Sequence, residues 1–286
     1  MASETEYSNY QTVAAFIDAT LSPYFRAAAI MPNLCHLVNF RPGSDSVKLR
    51  KAGSLTATAA AESSQHAVSE YTETSPGTLT AAEVKVYVEL SEKALYFGGA
   101  NVADLAAEAG RAIATKLDAD CMALFDAFNG GTTLGTSGVD CTPALLLQAA
   151  YTVAAQNVPG PYVLVLHPVQ IYDVQDDILA SAASVWTNET KLDILSGQPP
   201  ANNGYKGAFL DMPVYASTNV ESLNSAANWG GACFSPAHAL ALGMGGETIT
   251  KIGYHVGEGV TQIGVSLWYN VLEWNDAAGV AIVTDQ

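Results

Sequence analysis

The sequence predicts an α+β protein, and three observations carry that expectation. Glu83 to Ser91 (EVKVYVELS) alternates strictly between apolar and polar residues, and Asn101 to Phe128 repeats its apolar residues at helical spacing. Residues 139–245 interleave helical and strand patterns before a strand-rich end. With 286 residues, 49% of them hydrophobic, the chain is long and apolar enough to bury a sizeable core.

Residues 1–45 read as an N-terminal arm. Tyr10, Val13, Phe16, Ile17, Leu21, Tyr24, Phe25 and Ala28 recur at helical spacing, with Ser22-Pro23 marking a kink or a fresh helix start. The pattern fits an amphipathic helix docked on a partner and equally one lying on its own domain.

Residues 46–91 read as a hairpin. On its far side Val84, Val86, Val88 and Leu90 face one way and Glu83, Lys85, Tyr87 and Glu89 the other, the mark of a half-buried antiparallel strand. On its near side Val47-Lys48-Leu49-Arg50 alternates, then gives way to SLTATAAAESSQHAVSEY (Ser54 to Tyr71), which has almost nothing large enough to build a core. Pairing of the two sides at ~3.3 Å per residue predicts an arm of about 50 Å. Isolated two-stranded hairpins are marginal in water, so the bare outer half needs a neighbour to lie on. Lys48, Arg50 and Lys51 form the one basic cluster and read as a salt-bridge site at the root, and Glu62, Ser63, Ser64, Gln65 and His66 lie near the tip. These eight residues are the candidate inter-subunit contacts.

In the helix predicted over 101–128, Val102, Leu105, Ala109, Ile113, Leu117, Cys121, Leu124, Phe125 and Phe128 form the apolar stripe. Asp104, Glu108, Arg111, Asp118 and Asp126 are assigned to the wet side. Asn101 is placed as the N-cap and Asn129-Gly130-Gly131 as the stop, for a strut of about 42 Å. Within 139–245 a helix begins at Pro143 (CTPALLLQAAYTVAAQ), a buried strand runs from Tyr162 to Leu166, and His167-Pro168 opens a second helix. Short strands follow at Phe209-Leu210, at Val214-Tyr215 and between Gly231 and Met244. In 246–286, Val265, Leu267, Tyr269 and Val271 alternate with Ser266, Trp268, Asn270 and Leu272 and are expected to pair with Val280 to Val283 through a turn at Asn275 to Gly279.

Charge and motif searches narrow the function. Twelve basic against 28 acidic residues give −16, which argues against a general grip on nucleic acid. Cys35, Cys121, Cys141 and Cys233 lack metal-ligand spacing and read as small buried side chains in a reducing cytoplasm. No apolar run is long enough for a membrane span, and Asn188-Glu189-Thr190 is taken as a chance glycosylation triplet. The glycine-rich Gly130 to Gly138 lacks the lysine and preceding strand of a phosphate loop, and Ser137 misses the spacing of a nucleophile elbow. His36, His66, His167, His238 and His255 are scattered, and His167 reads as a polar cap ahead of Pro168. Asp173, Asp176 and Asp177 read as a solvated helix face. No catalytic, metal or cofactor site is expected.

This element order resembles the major capsid proteins of tailed phages, the Hong Kong 97-type fold. The residues that carry the resemblance are Gly53 to Thr58 through Glu62 with the returning Leu79 to Leu90, Tyr162 to Pro168 with its following helix, and Gly207 to Ser217. In the last, Asp211 stands where the family more usually has glycine. The resemblance implies a structural, non-enzymatic shell protein with four parts. These are an N-terminal arm (1–45), an extended loop (46–91), a peripheral domain (92–138 and 246–286) and an axial domain (139–245). It implies self-assembly through pentamers and hexamers into an icosahedral head around double-stranded DNA, in a virion assembled in the host cytoplasm. Portal and cement or decoration proteins are implied as further partners, DNA only as a weak non-specific one. No lysine lies between Lys51 and Lys85, so no covalent crosslink through the loop tip is expected. Only about 45 residues precede the hairpin, which points to a separate scaffolding protein. An encapsulin-type nanocompartment shell is the nearest alternative, and an α/β enzyme with an unrecognised site the third.

Overall fold

Two large sheets organise the described residues, one with an open face and one with strands covered on both. The computed structural model describes residues 29–91 apart from 42, 52, 54, 56, 58–70 and 72, then residues 93, 102–180, 204–223 and 228–285. In chain order the elements are β1 (His36–Asn39), β2 (Ser46–Lys48), β3 (Thr78–Thr80), β4 (Ala82–Ser91), α1 (Val102–Met122), α2 (Pro143–Ala155), β5 (Val163–Leu166), α3 (Pro168–Ala180), β6 (Tyr205–Phe209), β7 (Met212–Ala216), β8 (Ser222–Leu223), β9 (Asn228–Phe234), β10 (Leu240–Met244), β11 (Ile249–His255), β12 (Val260–Glu273) and β13 (Gly279–Asp285). The predicted arm helix of residues 10–28 lies outside the described residues.

The long strand β12 is the axis of the first sheet. Along one edge it pairs antiparallel with β4, from Val260↔Ser91 to Tyr269↔Ala82. Along the other it pairs first with β11 and then with β10, and β1 adds parallel to β10. The strand Glu83 to Ser91 forms as its alternation predicts, but its partner is β12 and not the near limb of the hairpin. The hairpin itself is narrower: β2 pairs with β3 from Ser46↔Thr80 to Lys48↔Thr78, and Lys51 bridges Thr74. The physical reason is burial. Pairing with β12 lets Val84, Val86 and Leu90 join the main core, where a two-stranded arm would leave them in water.

The second sheet runs in the order β13-β9-β5-β7-β6, with β8 on β9. Here the expected pairing of 265–272 with 280–283 does not form: β13 pairs with β9, from Gly279↔Phe234 to Asp285↔Asn228. Residues 240–244 therefore share a sheet with 260–273, and residues 279–285 share one with 163–166, a division that crosses the expected segments 139–245 and 246–286. All four residues of β5 are buried, as are the first six of β13, the continuous apolar pattern of strands covered on both faces. Helix α2 lies across β13 and β9. The turn joining β6 to β7 places Leu210 and Asp211 at φ 47° and 64°, a left-handed conformation that explains why glycine suits position 211 and why aspartate is tolerated there.

Helix α1 ends at Met122, so at 1.5 Å per residue its 21 residues span about 32 Å, shorter than the 101–128 strut. Beyond it the chain tightens into a 3-10 segment, Phe125–Gly131, in which Phe128 turns extended and Asn129 and Gly130 adopt positive φ. The turn swings Phe125 and Phe128 against Phe234, with ring centroids 5.5 and 6.0 Å from it. A second departure concerns Asp118, assigned to the wet side but only 1% exposed. Its carboxylate accepts the backbone N–H groups of Ile30 (3.0 and 3.2 Å) and Met31 (3.0 Å), fastening the segment before β1 to α1. Burial pushes this carboxyl up to about 6, while the two N–H donors pull the other way.

Candidate functional site: the hairpin root and the uncovered faces

The root of the hairpin is built on its own subunit. Leu49 and Leu79, 7% and 0% exposed, form a small second core with Ala241, against which Val38, Phe40, Leu272 and Trp274 pack. Around it the Trp274 indole N–H donates to the Arg50 carbonyl (3.1 Å), the Lys51 ammonium donates to Asn275 Oδ1 (2.5 Å), and the Ser75 hydroxyl donates to the Leu49 carbonyl (2.8 Å). The structure thus brings Lys48, Arg50 and Lys51 together, with different roles. Arg50 pairs with Glu73 across the two limbs at 3.1 Å, an exposed bridge worth a fraction of a kcal/mol, roughly 0.2–1. Lys51 is held by Asn275, and Lys48 stays exposed at the end of β2. Glu62, Ser63, Ser64, Gln65 and His66 lie outside the described residues.

Beside Lys51 sits an acidic group that sequence reading missed. Glu273 is pushed up to about 7, first by burial, then by the charge of Asp276 and a hydrogen bond with it, then by the charge of Asp126, while Lys51 pulls the other way. Asp276 Oδ1 in turn accepts the Gly130 N–H at 2.7 Å. The signal was faint: acids on two segments some 150 residues apart meet only because the 3-10 segment after α1 packs on the short 3-10 turn Asp276–Ala278.

The other sequence candidates resolve into structural duties. His167 caps α3 as expected: its Nδ1 accepts the Val169 N–H (3.3 Å), while its own backbone N–H donates to Gln170 Oε1 (3.0 Å). Its ring stacks on Trp229 with centroids 3.6 Å apart, and burial lowers its pKa. Gln170, fully buried, then donates through Nε2 to the carbonyls of Trp229 and Ile282 (3.2 Å each) and to Thr284 Oγ1 (2.8 Å). That one side chain ties α3 to β9 and β13. Asp176 and Asp177 are solvated, whereas Asp173 is partly buried and accepts the Cys141 N–H. All four cysteines are buried and free, and burial pushes Cys141 and Cys233 up to about 12, leaving protonated thiols.

A groove of about 310 Å³ crosses the open face of the first sheet between β4, β12 and β11. Several of its polar side chains are engaged by neighbours. Lys85 bridges Glu83 at 2.9 Å, and both the Tyr87 hydroxyl and the Gln262 amide donate to Glu89 Oε1. Among the described residues no group of three or more His, Cys, Asp or Glu is placed to hold a metal ion, and no helix is long and apolar enough to cross a membrane. On the other sheet, α2 exposes Leu147 and Tyr151, and α3 exposes Tyr172.

A structure from Mycobacterium phage Che8 superposes with a TM-score of 0.66 at 16% identity, over 89% of this chain and 90% of that one. The capsid of Cyanophage P-SCSP1u gives 0.64 at 13%, over 91% and 89%. A virus-like particle from Pyrococcus furiosus gives 0.60 at 12%, over 93% and 97%. These likenesses establish the Hong Kong 97-type fold across nearly the whole chain. A search of curated proteins finds no significant match. The family described as phage capsid protein matches residues 78–281, from β3 into β13. With most of its length matched, two sheets arranged as in solved capsids and a hairpin anchored at its root, the chain belongs to the phage capsid protein family, a structural component of the virion.

Proposed function

We propose that this chain is the major shell subunit of a tailed phage, that it assembles through pentamers and hexamers into an icosahedral head enclosing double-stranded DNA, and that it has no enzymatic activity. The observation that supports this best is the anchoring of the hairpin root. The Leu49–Leu79 cluster and the Trp274 and Lys51 hydrogen bonds fasten it to the subunit, and Lys51 bridges Thr74 across the two limbs. In this reading the segment between those two residues is the arm that reaches a neighbouring copy, with Glu62 to His66 near its tip as contacts. The same reading makes β4, β12 and α1 the peripheral part and β5, β9, α2 and α3 the axial part, with β13, from the segment expected in the peripheral domain, paired to β9. Assembly takes place in the host cytoplasm with a separate scaffolding protein, and the completed shell carries a portal and a cement or decoration protein. The net charge of −16 suits a container that holds DNA without binding it along every surface.

An encapsulin-type shell is the alternative reading; the chain's fold is shared by a virus-like particle from Pyrococcus furiosus, and the match to the phage capsid family favours the phage reading. Sedimentation velocity with negative-stain microscopy on the recombinant chain, alone and co-expressed with its neighbouring gene products, tests the proposal. Closed shells are expected. Discrete monomers or dimers under every condition would overturn it.

A further inference from the structure

Helix α2 has an unusual surface for its position. Its buried side, Leu146, Ala149 and Val153, covers β9 and β13, as a surface helix should. Its opposite side is also largely apolar: Ala144, Ala154 and Ala155 are exposed, Leu147 is 54% exposed and Tyr151 72%, with the Gln148 amide and the Tyr151 hydroxyl as its polar groups. The whole of PALLLQAAYTVAA holds no Asp, Glu, Lys, Arg or His, and the Thr152 hydroxyl turns back to donate to the Gln148 carbonyl at 2.8 Å. A helix apolar on both sides is normally buried on both. Alongside it, α3 presents Tyr172, 66% exposed.

Charge decides what covers this face. Two copies of a chain carrying −16 repel each other, and like charges brought together across an interface oppose the contact strongly. The surface best suited to meet an identical acidic copy is one with no charged group. A basic protein or a nucleic acid would gain nothing from a neutral helix, and an anionic lipid surface would need the flanking lysines and arginines that α2 lacks. We infer that the outer face of α2, formed by Ala144, Leu147 and Tyr151, is buried against a second copy of this chain in the shell. The inference rests on the proposed assembly and names one of its contacts. Alanine at 144 leaves room beside Leu147 and Tyr151 for a neighbour's side chain to enter, so the two larger residues serve as its anchors.

The test places the photo-crosslinker p-benzoylphenylalanine at position 151 in shells assembled from a mixture of isotopically light and heavy chains. The linked peptides are then identified by mass spectrometry. Links joining light to heavy chains are expected, and the linked residue shows whether the contact is two-fold or head-to-tail around a ring. Links confined to one chain, including those to residues 1–28, or links to a different polypeptide would overturn the inference while leaving the shell proposal standing. Absence of any particle from the unmodified chain would overturn both. In parallel, Leu147→Asp with Tyr151→Asp should cut shell yield at least ~10-fold, since each places an unpaired charge in a closed contact. The isolated chain should keep its circular dichroism, and Tyr151→Ser provides a milder variant with the same expected direction. Unchanged shell yield from both would contradict the inference.

Discussion

Strands β4 and β5 are both rich in valine, yet every residue of β5 is buried while β4 is covered only along one face. The difference lies in what stands on each side. β4 sits on α1 through Val84, Val86 and Leu90 and turns Lys85, Tyr87 and Glu89 outward, so it alternates. β5 lies between β7 and β9, with helices over its sheet, so it reads as an unbroken apolar run. The strands β5, β9 and β13 of the second sheet tolerate little change, and the first sheet tolerates change on its open face.

Gln170→Ala should separate the two sheets most sharply. It removes the hydrogen bonds to His167, Trp229, Ile282 and Thr284 at once, leaving buried partners unmet. A loss of about 4 kcal/mol is expected, seen as a lower midpoint in urea unfolding of the isolated chain. A drop below about 1 kcal/mol would show that the second sheet is not held through this residue.

The next largest contrast comes from paired glycines, one in each sheet. A Cβ on Gly231 would lie 2.6 Å from Gln170 Oε1 and 2.7 Å from Leu166 Cδ2, so Gly231→Ala should cost about 3 kcal/mol. A Cβ on Gly264 meets nothing nearer than Tyr87 Cδ2 at 3.8 Å, and Gly264→Ala should change stability by less than about 1 kcal/mol. Differential scanning calorimetry of the two variants side by side checks the pair, and equal melting shifts would dissolve the distinction drawn between the sheets.

Asp118→Ala follows, with an expected loss of about 2–3 kcal/mol because it strands the buried N–H groups of Ile30 and Met31. Hydrogen exchange at those two amides should accelerate markedly more than exchange in β5; uniform acceleration would mean the acid supports the whole fold and not this one attachment.

The smallest effect is pH-dependent and concerns the hairpin root. Because Glu273 is raised from 4.5 to about 7 in the folded chain, the folded state binds the extra proton between those values. Its stabilising contribution is complete below about 4.5, fades as pH rises through 7, and above that the partly buried carboxylate is a net cost. Glu273→Gln should therefore raise the melting temperature at pH 8 by roughly 2–4 °C, about 1 kcal/mol after solvent screening, and change it little at about pH 4.5. An equal shift at both pH values would remove ionisation as the cause.

Much of this was readable from local pattern. The alternation of Glu83 to Ser91, the stripe through Ile113 and Leu117, and the His167-Pro168 helix start each depend on neighbours a few residues away, and each appears in the structure. What could not be read was partnership at a distance. Nothing in EVKVYVELS says whether it pairs with residue 48 or residue 265, since both supply a compatible face. Trp274 lies 224 residues from the Arg50 carbonyl it binds, so the root's attachment to its own subunit left no local trace. Asp118 was misplaced for a narrower reason: it stands four residues after Ala114 and three before Cys121, both fully buried, and its acidity outweighed its position in the pattern. The basic residues of the root were visible, but of the three, Arg50 and Lys51 are already engaged within the subunit.

The proposed completion of burial between copies can be read contact by contact in a cryo-electron microscopy map of the assembled shell. Residues 52–73 are expected on an adjacent subunit, and the Ala144, Leu147 and Tyr151 face of α2 against another copy. A map in which α2 faces solvent and residues 52–73 fold back on their own subunit would contradict that proposal.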